Sequence, residues 1–209
     1  MQPDALLLVA PGCPHCPGVL DALGALVKEG VIGRLEVINV AVHPERAAAL
    51  GVRGVPFTRL GPFELDGART AAELRRWAER AAHPRGMAEY LEQMLAEGGL
   101  AKVEAMLAAE PARFPQLLGL MEDAELPLQV RLGIGAVIEG LAGTPVLQEA
   151  VPVLARLTGH ADHRVRGDAC HFLGLTLSPA ARPALEACLG DPHPEVREIA
   201  REALEGIAG

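Results

Sequence analysis

Two cysteines stand three residues apart in "APGCPHCPGVL", residues 10–20. Cys13 and Cys16 are the side chains of this chain best suited to chemistry. Thiol–disulfide exchange needs one thiolate to attack and a second thiol close enough to displace whatever the first has captured. A Cys-X-X-Cys step at the start of a helix supplies both. Unsatisfied N–H groups and the positive end of the helix dipole lower the first thiol's pKa, and the second lies one turn further in. His15 can place a positive charge beside that thiolate. Pro14 suits a first helical turn, where its missing N–H would have been unpaired in any case. Pro17 also lacks an N–H, so the Cys13 carbonyl loses its usual helical partner and a bend is expected there. The other chemistry open to such a pair is half of a zinc knuckle. That needs two further ligands, and no second pair of similar spacing follows.

A thiol pair of this kind needs a strand to deliver it and a helix to receive it. "ALLLV" (5–9) and "RLEVINV" (34–40) are short and rich in branched residues, and "GVLDALGALVKEG" (18–30) between them has apolar residues at helical spacing. The order predicts strand–helix–strand. A short helix over "PERAAAL" follows, then strands in "GVPFTRLG" and "PFELDG" joined by a tight turn at Gly61-Pro62. A helix over "TAAELRRWAERAA" closes the unit, with Thr70 as N-cap and Glu73 completing a capping box. This pattern gives a small mixed sheet with helices on its faces. The run Ala5–Ala10 follows Asp4 rather than a basic stretch and leads directly into Cys13, so it reads as a strand and not as an export leader.

From His83-Pro84 onward strand patterns stop. About eight helical stretches are expected, broken by turns such as "EGG", "AGTP", "LSP" and "GDPHP". "LPLQVRLGI" (126–134), "ADHRVRGDA" (161–169) and "PHPEVREIA" (192–200) share Val-Arg and, past two further residues, a small or apolar one. Val130, Val165 and Val196 recur at intervals of 35 and 31 residues. Such a period marks stacked helix pairs, none of which can bury its apolar face alone. The expected organisation is therefore an α/β domain over residues 1–82 and an all-α repeat domain over 83–209.

The totals narrow the partners. With 209 residues, 50% of them hydrophobic, the chain can build two small cores. A net charge of −8 argues against nucleic-acid and anionic-membrane partners, because phosphate binding needs a basic face. No apolar run reaches the ~18 residues of a membrane span. Four cysteines are too few for a disulfide scaffold, and a cytoplasmic location with reduced thiols is expected.

On "APGCPHCP" and "GVRGVPF" (51–57), the first 80 or so residues resemble the thioredoxin superfamily. The Cys-X-X-Cys-Pro form is similar to the glutaredoxin-like units of protein disulfide oxidoreductases, and Pro-His between the cysteines is similar to periplasmic disulfide-introducing enzymes. The resemblance implies that Pro56 follows a cis peptide bond, that Val55 offers its backbone to an extended substrate, and that Pro14, Val55 and Pro56 line the substrate groove. Three positions depart from the family. Gly12 stands where it has Trp, Leu7 where it has a buried carboxylate, and Val37 where a lysine often accompanies that carboxylate. The proton of Cys16 would then pass to His15, water or Glu36. The resemblance starts at the active-site strand, without the family's leading strand and helix, so a four-stranded minimal version is expected.

The helical part resembles HEAT-type repeats, closely over about 110–207 and loosely over 84–109. The resemblance implies a protein-docking surface, and a ladder in which Arg131, Arg166 and Arg197 meet turn carboxylates including Asp162 and Asp191; an anion-binding stripe is the alternative. If 162–176 and 179–190 form consecutive antiparallel helices, the start of one lies beside the end of the next and Cys170 and Cys188 come close. Three readings stay open for them: buried small hydrophobes, a second redox pair exchanging with Cys13 and Cys16, or part of a zinc site with His160, His163, His171 and His193. Those histidines read most simply as solvated turns, so no metal ligand is assigned. Trp77, the single tryptophan, is expected as a core or interdomain anchor.

The expected function is thiol–disulfide oxidoreduction of protein disulfides, by reduction or isomerisation. Cys13 attacks, Cys16 resolves and His15 tunes the thiolate. A protein or small-molecule thiol acts as reductant, no cofactor is held, and the repeats dock protein partners. The rival is a non-catalytic adaptor whose repeats bind a partner according to the redox state of Cys13 and Cys16.

Overall fold

A computed structural model describes residues 2–207. Its contacts divide the chain into two compact units, one running to Met87 and one from Ala88. Beyond Ala82, His83 N–H donates to the Arg80 carbonyl at 2.9 Å and Gly86 N–H to the His83 carbonyl at 3.0 Å.

The first unit has a sheet of four strands, β1 (Asp4–Val9), β2 (Arg34–Asn39), β3 (Phe57–Leu60) and β4 (Phe63–Asp66), in the order β2-β1-β3-β4. β1 runs parallel to β2, with Leu7 opposite Val37, and antiparallel to β3, with Leu7 opposite Thr58; β3 and β4 are antiparallel. The parallel pair requires a crossover, supplied by α1 (Cys16–Lys28). As an inner strand covered on both faces, β1 is a continuous apolar run, and Ala5, Leu6, Leu7 and Leu8 are all buried.

Alternation sends neighbouring side chains to opposite faces. Leu6, Leu8, Ile38 and Phe57 form one cluster, packed by Ala47 of α2 (Pro44–Ala49) and by Leu50, Val52 and Val55. On the other side α1 packs on β1, and against α3 (Ala71–Ala81), burying Val19, Leu23 and Leu26. Each such side chain contributes about 1.5–3 kcal/mol. The capping box at the start of α3 is present: Glu73 N–H donates to Thr70 Oγ1 at 3.3 Å and Thr70 N–H donates to Glu73 Oε2 at 2.8 Å. Trp77 is a core side chain of this unit, edge-on to Phe63 at 5.1 Å, with the Arg80 guanidinium 4.6 Å from its ring centroid.

The second unit has helices and no strand among its described residues. Its helices are α4 (Gly86–Ala96), α5 (Leu100–Ala109), α6 (Phe114–Gly119), α7 (Leu128–Gly140), α8 (Pro145–Gln148), α9 (Val151–Leu157), α10 (His163–Leu175), α11 (Arg182–Cys188) and α12 (Pro194–Ile207), with three short 3₁₀ turns between them. Several are shorter than the stretches of 11 or more residues that the pattern suggests. The cause is proline at the first or second position of α6, α8, α9 and α11, which cannot continue a helix but readily begins one. The three longer helices α7, α10 and α12 carry the Val-Arg signature, and Val130, Val165 and Val196 are buried. α10 packs closely on α12. A Cβ at Gly174 would stand 2.9 Å from that of Ala203, so glycine is what permits this approach. No described helix is long and apolar enough to cross a membrane.

Candidate functional site

β1 ends at Val9 and the chain turns over Pro11 and Gly12, with Cys13 N–H donating to the Ala10 carbonyl at 3.3 Å. Gly12 has φ +77°, a conformation that strongly favours glycine, which gives a physical reason for the residue found where the resembled family has Trp. The helix begins later than the motif suggests. Its first residue is Cys16 and its N-cap is His15, so Cys13 and Pro14 lie in the turn before it. The reason is Pro17: without an N–H it cannot close a helical bond to Cys13, and the first such bond runs from Val19 N–H to the His15 carbonyl at 3.4 Å.

Cys13 and Cys16 are at disulfide distance and bonded, with Cα atoms 5.5 Å apart. Cys13 is half-buried and Cys16 buried, while Pro14 and His15 are exposed. No acidic residue lies in the first turn of α1, so nothing there cancels the positive end of the helix dipole.

Sheet register brings Pro56 to the same end of the fold. Leu8 lies opposite Phe57 in the antiparallel β1–β3 pair, so the chain leaving β1 and the chain entering β3 share one edge. The Val55–Pro56 bond is cis, Pro56 is buried, and Val55 is half-buried against the Leu6–Leu8 cluster.

Glu36 falls away as a proton acceptor for Cys16. It lies opposite Leu6 and is paired with Arg46 of α2 at 3.2 Å, on the face away from α1. Leu7 is fully buried and Val37 is exposed. The polar group that the sequence did not reveal is Thr58. It lies opposite Leu7, it is fully buried, and its Oγ1 has no hydrogen-bond partner. Nothing in "PFTRL" distinguishes Thr58 from an ordinary β-branched strand residue; only the register does.

In the second unit each signature arginine ties down the turn before its own helix. Arg166 holds Asp191 through two bonds, Nε–Oδ2 at 2.7 Å and Nη2–Oδ1 at 2.9 Å, and donates to the His160 and Ala161 carbonyls. That pairing takes the Asp191 carboxyl down to about 2. Arg131 pairs with Asp168 at 2.7 Å and Arg197 donates to the Asp191 carbonyl at 2.7 Å. Asp162 is not part of this ladder. It caps α10 by accepting from Arg164 N–H, and the Arg164 guanidinium holds its carboxyl well below the usual range. The arginine donors therefore go to carboxylates and carbonyls of the array itself, which is a structural ladder rather than an anion-binding stripe.

Cys170 and Cys188 come together as free, buried thiols. Burial, then the hydrogen bond shared with Cys188, pushes the Cys170 thiol up. A thiol so placed is a poor nucleophile at neutral pH.

Residues 129–205 match the HEAT-repeat family model, and the C-terminal part of the chain thus consists of HEAT repeats. No curated protein matches the chain. Stacked repeats of this type present extended surfaces and generally bind other proteins.

Proposed function

We propose that the chain is a thiol–disulfide oxidoreductase of thioredoxin-like fold, acting on protein disulfides in the cytoplasm, with its HEAT repeats docking protein partners. The observation that carries this reading is the asymmetry of the pair: Cys13 reaches solvent in the turn ahead of α1, while Cys16 is sealed one step behind it. The strand order, the cis Val55–Pro56 bond and its place at the edge shared with Cys13 support it.

In the reduced protein the Cys13 thiolate attacks one sulfur of a substrate disulfide. The substrate S–S bond breaks, its far sulfur leaves as a thiolate and takes a proton from water, and a Cys13–substrate disulfide remains. Cys16 then loses its proton and attacks Cys13 Sγ. The Cys13–Cys16 bond forms and the second substrate thiolate is released. Two electrons pass from the protein dithiol to the substrate, and an external thiol, of protein or low molecular weight, returns them. His15, exposed between the two cysteines, offers a partner to the Cys13 thiolate, and the start of α1 lowers its pKa. Pro14, Val55 and Pro56 bound the groove in which an extended substrate lies. Cys170 and Cys188 take no part in exchange in this reading, since neither reaches solvent. On the repeats, Leu128 and Leu132 stand one turn apart on α7 with their side chains exposed, a starting point for a partner surface.

The second reading, a redox-sensing adaptor, draws on Leu7 and Thr58, buried opposite each other in the sheet, neither of which can take the proton of Cys16 as a carboxylate would. Insulin reduction with dithiothreitol as electron source separates the two. Turnover that disappears in Cys13→Ser supports the enzyme. Absence of turnover, together with partner capture that depends on oxidation, supports the adaptor.

A further inference from the structure

The geometry points to a divalent transition-metal site, of the kind zinc occupies, built from His163, His193 and Glu195 on the HEAT repeats. His163 is the first residue of α10, His193 sits in the turn leading into α12, and Glu195 is the second residue of α12. One ligand atom from each lies within 4.8 Å of the other two. The two imidazoles stack, with ring centroids 3.8 Å apart and planes 22° from parallel.

A second observation is independent of that grouping. His193 Nδ1 is shut off from solvent and has no hydrogen-bond partner. Glu195 Oε2 is 4.0 Å away from it, too far for a hydrogen bond. An ion held between this nitrogen and the Glu195 carboxylate would give the orphan imidazole nitrogen its partner. With metal–ligand bonds near 2.0–2.1 Å, two ligands of a tetrahedral ion stand about 3.4 Å apart. From 4.8 Å the three groups need to close by up to about 1.4 Å, which asks for side-chain rotation at two half-buried positions, His163 and His193, and one exposed position, Glu195.

The donor set selects the metal. Two imidazoles and one carboxylate suit zinc, nickel, copper or cobalt, whereas calcium and magnesium require mostly oxygen. The starts of α10 and α12 disfavour a cation. Glu195 opposes that effect, as do Asp162, 4.0 Å from His163 Nδ1, and Asp191, which accepts from His193 N–H at 2.8 Å. His160 and His171 lie outside the cluster: His160 Nδ1 accepts from Asp162 N–H at 3.0 Å, and His171 faces Glu139 at 3.8 Å. A bound ion would fasten two neighbouring helices of the array and leave an open coordination position for water or a partner's side chain. This inference does not rest on the redox reading.

The test uses the full chain with the Cys13–Cys16 disulfide intact, so that this pair cannot take up the metal. Calorimetric titration with zinc is expected to show one ion per chain. His163→Ala and His193→Ala should each weaken binding more than about tenfold, and His171→Ala should leave it unchanged. Far-ultraviolet dichroism confirms folding of each variant, and His193→Gln serves as a milder second variant. Zinc should also raise the melting temperature of wild type and not that of His193→Gln. Cobalt in place of zinc should give a spectrum free of thiolate charge-transfer bands. Absence of zinc binding by wild type, binding unmoved by His163→Ala and His193→Ala, or thiolate bands that place the metal on Cys170 and Cys188 would each overturn the assignment.

Discussion

Replacing Asp191 by alanine probes the join between α10 and α12 where it is most heavily bonded. The carboxylate and the Arg166 guanidinium are 7% and 12% exposed, and the pair is bidentate at 2.7 and 2.9 Å. Removing one partner of a buried pair leaves the other charge uncompensated, which typically destabilises by 3–5 kcal/mol, on the order of three to five hundredths of the gross hydrophobic term of a domain. Arg166 keeps two carbonyl acceptors, on His160 and Ala161, so the lower end applies, about 3 kcal/mol. With urea slopes of about 1–3 kcal/mol/M, the unfolding midpoint should fall by about 1–3 M at pH 7. The sign of the pH dependence follows from the carboxyl's depressed value. Folding holds Asp191 at about 2 against its ordinary 3.8, so its contribution is complete above about pH 4 and is lost as pH falls toward 2. Urea melts of wild type and Asp191→Ala, followed by far-ultraviolet dichroism from pH 7 down to pH 3, read this directly. The gap between the two proteins should narrow below pH 4. A gap under about 0.5 kcal/mol at pH 7, the scale of an ordinary surface change, or one that stays constant with pH, would refute the reasoning.

Two further outcomes follow from burial. In the reduced, folded protein a thiol reagent should titrate Cys13 quickly and reach the buried Cys16, Cys170 and Cys188 much more slowly, with all of them opened by denaturant; four thiols reacting together without denaturant would show that the buried three are open. Thr58→Val keeps the side chain's shape and removes its orphan hydroxyl, so stability should hold or rise by up to about 1–3 kcal/mol. A loss of more than about 1 kcal/mol would reveal a partner for that hydroxyl.

The order of elements in the first unit was legible because each carries a local signal: branched runs for β1 and β2, Thr70 and Glu73 for the start of α3, Gly61-Pro62 for the turn between β3 and β4. The repeat was legible because buried Val130, Val165 and Val196 recur on one helical face. What sequence could not supply were facts of register and of neighbouring chain. The start of α1 moved to Cys16 because Pro17 removes one specific hydrogen bond. Glu36 was lost as a base because its strand position points it at Arg46. Asp162 left the arginine ladder because Arg164, two residues away, reaches it first, and Asp168 took the place opposite Arg131. The stacking of His163 on His193 depends on how closely α10 approaches α12, which glycine at position 174 permits and no motif announces.

The most direct measurement is the rate at which iodoacetamide alkylates Cys13 in the reduced protein, followed from pH 4 to 10 by mass spectrometry of the labelled peptide. Reaction with a midpoint well below the ~8.5 of a free cysteine, and much slower labelling of Cys16, is the expected result. A midpoint at the ordinary value, or a Cys13 that stays unlabelled in the folded chain, would contradict the proposed role of the pair.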